Sequence, residues 1–468
     1  MYFLRIENHD IDRDILNKIK NVHFIGIGGS GMCPLAEILH AEGYNITGSD
    51  ISEGDTLDRI KGYGIKVFMG HKAENVDGAE LVVYTSAVKT DNPELVAAAE
   101  KGIPVAERCV MLGLIADRYK RSVAVSGTHG KTTTTGMLTQ VLVGSGYEPS
   151  AVIGGKLPYI GGNGRVGSSD IMVCEACEYV DSFLELHPAI SIILNVDADH
   201  LDYFKNLDGI KRSFTKFASQ TSQLLVVNGD DENSRDVVRD IDTPKLYFGF
   251  DNKNDYYAEN IKTLPGAKQS FDLMHKGERL ASVNLSVPGR HNVLNALACA
   301  AVAHYLGDDG DKIAENLEKF KGVHRRFEVL GKKCGITVAD DFAHHPTELT
   351  ATLSAAMDMG FNTVWAVFQP HTYSRTAMLL DDFAKALSIP DKAVLSEILP
   401  VRETNTYNIY SKDLADKIDG CVWFETFEEI TDYVCENAKD GDLIITLGGG
   451  NVYMCANMIY KKLSDMEG

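Results

Sequence analysis

Twice in this chain a run of β-branched residues ends in a glycine-rich turn that opens a helix. Val22 to Ile27 runs into Gly26-Ile27-Gly28-Gly29-Ser30-Gly31, followed by a helical pattern from Gly31 to Glu42 that Gly43 ends. Ser122 to Ser126 runs into Gly127-Thr128-His129-Gly130-Lys131-Thr132 and a helical pattern from Lys131 to Val143. A strand that passes directly into a helix returns to its sheet by a crossover, so such units build parallel, doubly wound sheets. This pattern constrains the fold more than any other feature of the sequence.

The first 120 residues continue the alternation. Strand-like runs at Asn45 to Gly48, Lys66 to Phe68 and Leu81 to Tyr84 are separated or followed by helical patterns, among them Pro93 to Lys101 and Arg108 to Tyr119. The restart at Ser122 marks a boundary near residue 120. Strands are expected at Ile171 to Cys174, Ile190 to Leu194 and Leu224 to Val227, then an antiparallel patch between Tyr256 and Val287 and a helix His291 to Tyr305. After Gly322 the pattern restarts, with strands at Ile336 to Ala339, Thr363 to Phe368, Ala393 to Leu395 and Leu443 to Leu447. At 468 residues the chain is too long for one ordinary core. The expected architecture is α/β in three domains: a Rossmann-like domain at 1–120, a P-loop-type domain at 121–322 and a C-terminal α/β domain at 323–468.

The glycine turns carry the chemistry. Gly26 to Gly31 is G-x-G-x-x-G after a strand and before a helix, with Asp50 at the end of the next strand. Glycines let the backbone approach a pyrophosphate, and the helix N-terminus holds the anion. A dinucleotide or another nucleotide diphosphate fits equally. The second turn has the parts of a phosphate loop: backbone amides for phosphate oxygens, Lys131 for the terminal phosphates and Thr132 for Mg²⁺. Val125 stands where the strict motif has its first glycine, leaving G-x-x-G-K-T. Two such loops favour a kinase or an ATP-driven ligase, one domain holding a nucleotide-linked substrate and another ATP. A nicotinamide-dependent dehydrogenase explains the first loop but leaves Lys131 and Thr132 without a purpose.

Composition sharpens this. Lys plus Arg number 46 against 66 Asp plus Glu, a net charge of -20, opposite to the footprint of a general nucleic-acid binder. Phosphate must then be held by local devices. The opening Met-Tyr-Phe-Leu-Arg-Ile-Glu-Asn-His-Asp lacks the pattern of a secretory leader. The apolar stretch Ala296 to Gly307 is far short of the ~20 residues of a bilayer span. Nine scattered cysteines fit reduced thiols in the cytosol.

Further candidates lie at strand ends. Glu175 and His200 fall in Val173-Cys174-Glu175-Ala176-Cys177-Glu178 and Asn195-Val196-Asp197-Ala198-Asp199-His200, where they and Thr132 could surround Mg²⁺. Cys174 and Cys177 form a C-x-x-C without a second one, and redox or zinc chemistry is not expected of it. Gly289-Arg290-His291-Asn292 opens a helix, where capping competes with contact to a base. Asp340-Asp341-Phe342-Ala343-His344-His345-Pro346 and Gln369-Pro370-His371-Thr372-Tyr373-Ser374-Arg375 end strands of the third unit. The paired histidines suggest zinc, but adjacent residues seldom ligate one ion.

Taken in order, His23-Phe24-Ile25-Gly26-Ile27-Gly28-Gly29-Ser30-Gly31-Met32, Gly127-Thr128-His129-Gly130-Lys131-Thr132, Gly161-Gly162-Asn163, Asp199-His200-Leu201-Asp202, Gly289-Arg290-His291-Asn292 and Ala343-His344-His345-Pro346 resemble the Mur ligase family over essentially the whole chain. The resemblance implies three domains, for a UDP-sugar, for ATP and for closure over the site. It implies ATP-dependent joining of L-alanine to the lactyl carboxylate of UDP-N-acetylmuramate through an acyl phosphate, in peptidoglycan synthesis, by a cytoplasmic monomer or homodimer without membrane or nucleic-acid partners. On this likeness Gly28, Gly29, Ser30 and Gly31 meet the diphosphate, with Asp50, His71, Ser86 and Asn163 also at the UDP-sugar. Ser126, Gly127, Thr128, His129, Gly130, Lys131, Thr132 and Thr133 hold ATP, and Thr132, Glu175 and His200 hold Mg²⁺. His291, Asn292 and Asn295 lie at the adenine, Arg326 and Asp341 approach the nucleotide, and His344, His371 and Arg375 place the amino acid.

The chain departs from the family pattern at several points. Glu175-Ala176-Cys177-Glu178-Tyr179 replaces a more acidic run, Phe342 stands where tyrosine is common, Thr372 where some relatives have arginine, and Asn451 where aspartate is frequent. Ser213-Phe214-Thr215-Lys216-Phe217 does not match the segment that carries a carbamoylated lysine in several relatives, so Lys216 is expected to be unmodified. A related ligase that adds a whole tripeptide to the same UDP-sugar shares most of these motifs.

Overall fold

The computed structural model describes residues 11–467 apart from Arg402 and the Asp202 side chain. The opening decapeptide, read above as lacking a leader, lies outside the described residues. Two compact units form, one of Met1–Asp255 with Ala298–Asp308, the other of Tyr256–Leu297 with Asp309–Gly468.

The first unit begins with a parallel sheet of β1 (Asn21–Ile25), β2 (Asn45–Asp50), β3 (Lys66–Met69), β4 (Leu81–Tyr84) and β5 (Val105–Glu107), in the order β3-β2-β1-β4-β5. The order reverses beside β1, which places the end of β1 and its glycine loop at a topological switch point. Strands buried on both faces explain the unbroken apolar run of β4, where every residue is buried. The following sheet contains β6 (Arg121–Ser126), β7 (Ser150–Leu157), β8 (Gly162–Arg165), β9 (Ile171–Glu175), β10 (Ile190–Ile193), β11 (Leu224–Asn228) and β12 (Lys245–Gly249), ordered β12-β11-β10-β6-β9-β7-β8. Here β6, with the phosphate-type loop at its end, pairs in parallel with β10 and β9. One apolar core runs through both sheets of this unit, from Leu16 and Phe24 to Phe214 and Val238.

In the second unit β13 (Tyr256–Leu264), β14 (Lys268–His275) and β15 (Glu278–Pro288) form the expected antiparallel patch. Its strands alternate buried and exposed residues, the signature of a sheet wet on one face. A further sheet has the order β16-β17-β21-β18-β19-β20, with β16 (Glu328–Lys333), β17 (Ile336–Asp341), β18 (Val364–Phe368), β19 (Lys392–Ser396), β20 (Val422–Phe424) and β21 (Leu443–Leu447). Apart from the antiparallel β16, its pairings are parallel.

The first helix starts later than expected, at Cys33 and not Gly31. Gly29 N–H donates to the Gly26 carbonyl (3.1 Å) and Met32 N–H to the Gly29 carbonyl (2.9 Å), so the glycines form consecutive turns before the helix. The β7–β8 hairpin was not anticipated: Gly154 and Gly155 break the strand pattern, and its register shifts between Val152 and Leu157.

Candidate functional site

At the C-terminal edge of the first sheet, Asp50 holds the glycine loop. Its Oδ2 accepts from Gly28 N–H (2.9 Å), while Oδ1 accepts from Ile51 and Ser52 N–H at 2.8 and 3.1 Å. A Cβ on Gly28 would lie 2.9 Å from the same Oδ2, so a side chain there would have to push the Asp50 carboxylate or the loop aside. Ser86 is exposed in the turn after β4, beside Thr85, whose methyl approaches Gly26. His71 follows β3, whose Met69 pairs with Asp50. Behind His71 is a buried carboxylate that sequence reading did not single out: Glu94 Oε2 lies 2.9 Å from His71 Nδ1.

Asn163 reaches this edge from β8, its side-chain amide donating to the Ser30 carbonyl. Arg59 braces the same junction, paired with buried Glu37 (Nε–Oε1 2.6 Å) and donating to the Gly164 carbonyl (3.2 Å). Thus Gly28 to Gly31, Asp50, His71, Ser86 and Asn163 gather around one sheet edge.

The second loop shows why Val125 replaces a glycine. Val125 is fully buried within β6, paired with Ile192 and Glu175, so the strand extends one residue further and the loop is shorter. Gly127 has φ +139°, and a Cβ there would sit 2.9 Å from Leu194 Cβ. Gly130, at φ +88°, precedes the helix Lys131–Gly144. Ser126 Oγ donates to the Ile192 carbonyl (2.7 Å). His129 is clamped from both sides: its N–H donates to Asn195 Oδ1 (2.8 Å), and Asn195 Nδ2 donates back to its carbonyl (3.0 Å). Its ring lies 3.3 Å from Asp197. Thr133 follows on the helix, half-buried.

Lys131 Nζ donates to the Gly127 and Thr128 carbonyls at 2.6 and 3.0 Å and pairs with Glu178 at 2.9 Å. Burial is the largest single influence and works against its charge, but Glu178, Cys177 and Glu175 together outweigh it and hold the ammonium above its ordinary range. Thr132 Oγ1 donates to Glu175 Oε2 (3.2 Å), and Gly154 N–H donates to Glu175 Oε1 (2.6 Å). His200, at φ +53°, lies 3.9 Å from Glu178 and against the Tyr179 ring, with centroids 4.6 Å apart. The Glu-Ala-Cys-Glu-Tyr variant therefore furnishes Glu178 to Lys131 and Tyr179 to His200. Cys174 lies within β9 as a buried thiol, burial pushing it up to about 12, and Cys177 lies beyond β9; all nine cysteines are free thiols. Lys216 is exposed, whereas Ser213 on the same helix donates to Asp181.

In the second unit Asn292 and Asn295 are buried and mutually bonded. Asn295 Nδ2 donates to Asn292 Oδ1 (2.9 Å) and Asn292 Nδ2 to the Pro288 carbonyl (2.7 Å), with His291 exposed at the helix start. Asp341 ends β17 and accepts from Phe327 and Ala343 N–H at 2.6 and 2.7 Å. Burial pushes its carboxyl up to about 6 against the pull of Arg326. Phe342 lies under two guanidiniums, Arg325 at 4.9 Å and Arg326 at 5.2 Å, so the ring face alone performs a cation–π role for which no hydroxyl is needed.

His344 Nδ1 lies 3.1 Å from the Phe342 carbonyl and 3.2 Å from Glu348, and its ring meets that of His371 edge-on at 5.7 Å. Arg375 donates to His371 Nδ1 (3.4 Å). Thr372, at φ +68°, caps the helix Tyr373–Met378, accepting from Arg375 N–H; a hydroxyl suits this position as an arginine would not. His345 is buried and caps the helix Pro346–Met357 through Nδ1. Asn451 is exposed.

Sequence reading missed Arg325. Its Nε donates to Asp340 (2.9 Å), Nη1 to the Gly450 carbonyl (2.9 Å) and Nη2 to the Gly448 carbonyl (2.8 Å), while its face also covers Tyr453 at 4.9 Å. Gly449 packs on the His344 and His371 rings. The adjacent arginines in His324-Arg325-Arg326-Phe327 were the available signal.

Among the described residues no helix is long and apolar enough to cross a membrane. Family models described as the Mur ligase family catalytic domain, the Mur ligase middle domain and the Mur ligase glutamate ligase domain match residues 21–120, 125–303 and 325–450. A UDP-N-acetylmuramate--L-alanine ligase of Caldanaerobacter subterraneus subsp. tengcongensis is 46% identical over 444 residues, covering 94% of this chain and 96% of the relative. The solved UDP-N-acetylmuramate-alanine ligase of Thermotoga maritima is similar at TM-score 0.80 and 31% identity, over 95% of this chain and 99% of that one. A murein peptide ligase of Psychrobacter arcticus is similar at TM-score 0.73 and 25% identity, over 95% and 99%.

Proposed function

The chain belongs to the Mur ligase family, and from that premise we propose that it is the ATP-dependent ligase that joins L-alanine to the lactyl carboxylate of UDP-N-acetylmuramate in the cytoplasm, for peptidoglycan synthesis. The observation that carries the reading is the arrangement in the first unit: a glycine loop with Asp50, His71 and Asn163 at one sheet edge, and a second loop that holds Lys131 beside Thr132 and Glu175. One suits the diphosphate of a UDP-sugar and the other the phosphates of ATP. The proposed division of labour is 1–120 for the UDP-sugar, 121–322 for ATP and 323–468 for closure and the amino acid.

In the proposed reaction the lactyl carboxylate oxygen attacks the γ-phosphorus and ADP departs with the β–γ bridging oxygen. The alanine amine then adds to the acyl carbon, loses a proton, and phosphate leaves as the amide forms. Side chains contribute position and charge, with little covalent work. Lys131 exchanges its present partners for phosphate oxygens, and the amides of Gly127 to Thr132 line the anion's path. His344, His371 and Arg375 are proposed to receive the amino acid.

The residues present fit Mg²⁺: Thr132 and Glu175 offer hard oxygen donors already 3.2 Å apart, and His200 stands beside Glu178. Bound there, the ion would neutralise charge developing on the β- and γ-phosphates.

A phosphate-release assay with UDP-N-acetylmuramate, ATP and either L-alanine, glycine, L-serine or a muramyl-type tripeptide tests the proposal. Release with L-alanine is expected, and release with tripeptide alone overturns it.

A further inference from the structure

Beneath the first sheet's ligand edge is a carboxylate that the reaction above does not use. Glu94 is fully buried in the helix Pro93–Glu100. Its Oε2 accepts from Ser49 Oγ (2.7 Å) and faces His71 Nδ1 (2.9 Å), and its Oε1 accepts from Asn75 Nδ2 (2.5 Å). On the far side lies His23, also fully buried, with Nε2 3.7 Å from Oε1 and Nδ1 2.8 Å from Thr47 Oγ1. A lone buried carboxyl would hold its proton. Here burial is outweighed by His23 and by the Ser49 and Asn75 bonds, which keep Glu94 below the ordinary carboxylate range.

An ionised carboxylate has no proton to donate, so the short contact requires the proton on His71 Nδ1. That fixes the ring. Nδ1 points inward to a residue without exposure, whereas the His71 side chain as a whole keeps 21% of its exposure. The ring stands at the end of β3, beside Asp50, whose carboxylate holds Gly28 in the glycine loop.

We propose that Glu94 is a positioning residue for the UDP-sugar: through Nδ1 it orients His71 so that Nε2 is presented to the diphosphate, with Ser49, Asn75 and His23 holding Glu94 in place. The inference rests on the reading of this edge as the UDP-sugar site. Glu94→Gln keeps the shape but offers one acceptor in place of two, and its amide can face His71 and select the opposite tautomer.

Isothermal titration of the full chain with UDP-N-acetylmuramate, with steady-state kinetics, reads the effect. Glu94→Gln is expected to raise the dissociation constant and the KM for the UDP-sugar by about tenfold, as for outer partners of a ligating histidine. The kcat and the KM for ATP and L-alanine should be unchanged. The double variant with His71→Gln is expected to bind no more weakly than His71→Gln alone. Binding by Glu94→Gln within twofold of the unaltered chain, or additive losses in the double variant, overturns the proposal. A second measurement needs no folded Glu94 variant: nitrogen-15 spectra of the imidazoles in the unaltered chain, with His71 identified by its loss in His71→Gln. A proton on Nδ1 is expected, and a neutral ring protonated only at Nε2 overturns the proposal. If the unaltered chain does not bind UDP-N-acetylmuramate, the functional reading falls, and the nitrogen spectra still decide the Glu94 contact.

Discussion

Lys131, half-buried, and Glu178, buried, form an ion pair 2.9 Å apart, inside the loop that this lysine is proposed to serve. Two loop carbonyls complete the ammonium's coordination, from Gly127 and Thr128. Before any phosphate arrives, the cation is already stored with a substitute anion.

Removing the anion should therefore be costly. Glu178→Ala leaves the ammonium with carbonyls alone, a loss of about 3–5 kcal/mol. ATP brings a replacement, so the nucleotide should raise the melting temperature of Glu178→Ala by more than that of the unaltered chain. Thermal unfolding with and without ATP checks this, and equal nucleotide shifts would contradict the stored-cation picture. Lys131→Ala should abolish turnover and still bind the UDP-sugar; near-normal ligation would remove this loop from the ATP site.

Arg325 offers a different kind of test. It spans Asp340 and the carbonyls of Gly448 and Gly450, and Gly449 in that loop packs on His344 and His371. Lysine keeps the charge but lacks the planar fork. Arg325→Lys should let the glycine loop drift and lower kcat/KM for L-alanine by about 10²-fold, as small misplacements do. Dissociation constants for ATP and the UDP-sugar should remain unaltered in direct titration.

The contrast between Arg325 and Lys131 shows what the amino-acid order discloses. Lys131 sits in a local motif whose strand, glycines and helix are adjacent in the chain, so its surroundings follow from neighbours. Arg325 acts on Gly448 and Gly450, more than a hundred residues away, through a parallel pairing of β17 with β21 that no local pattern specifies. Glu94 is hidden for the same reason: it opens an ordinary helix, and only the packing of β2 and β3 beside it assembles Ser49, His71 and Asn75 around its carboxylate. Crossover units are readable because apolar runs and glycine turns alternate along them. The β7–β8 hairpin is not, because its glycines and shifted register erase the period-two pattern. Thr372 and Phe342 looked like losses against the family pattern, yet one is a helix cap and the other a cation–π platform.

Asp341 should impose a pH dependence. Its folded carboxyl titrates at about 6 against an ordinary 3.8, because burial disfavours its charge more than Arg326 favours it. Between these values the folded state binds more protons than the unfolded one, so stability falls as pH rises, by about 3 kcal/mol in all. Below the unfolded value the contribution is fully present, and above pH 6 it is gone. Melting temperatures of Asp341→Asn should show a flatter slope than the unaltered chain between these pH values. Identical slopes would mean that Asp341 titrates alike in the folded and unfolded chain.

The last prediction separates the two phosphate loops. Gly28 N–H donates to Asp50 Oδ2, and a Cβ on Gly28 would meet that same oxygen at 2.9 Å. Gly28→Ala must then displace either the Asp50 carboxylate or the loop backbone, and both movements spoil the cradle proposed for the UDP diphosphate. Binding of UDP-N-acetylmuramate should weaken by at least about tenfold, or ~1.4 kcal/mol. ADP affinity should not change, because Lys131 and its loop belong to the next sheet. In an Asp50→Ala background the obstacle is gone, and the further loss caused by Gly28→Ala should shrink. Calorimetry on the two single variants and the double variant decides between the alternatives. Strictly additive losses would place the effect of the alanine in its contact with Leu57, 3.3 Å from the same Cβ, and not in its collision with Asp50.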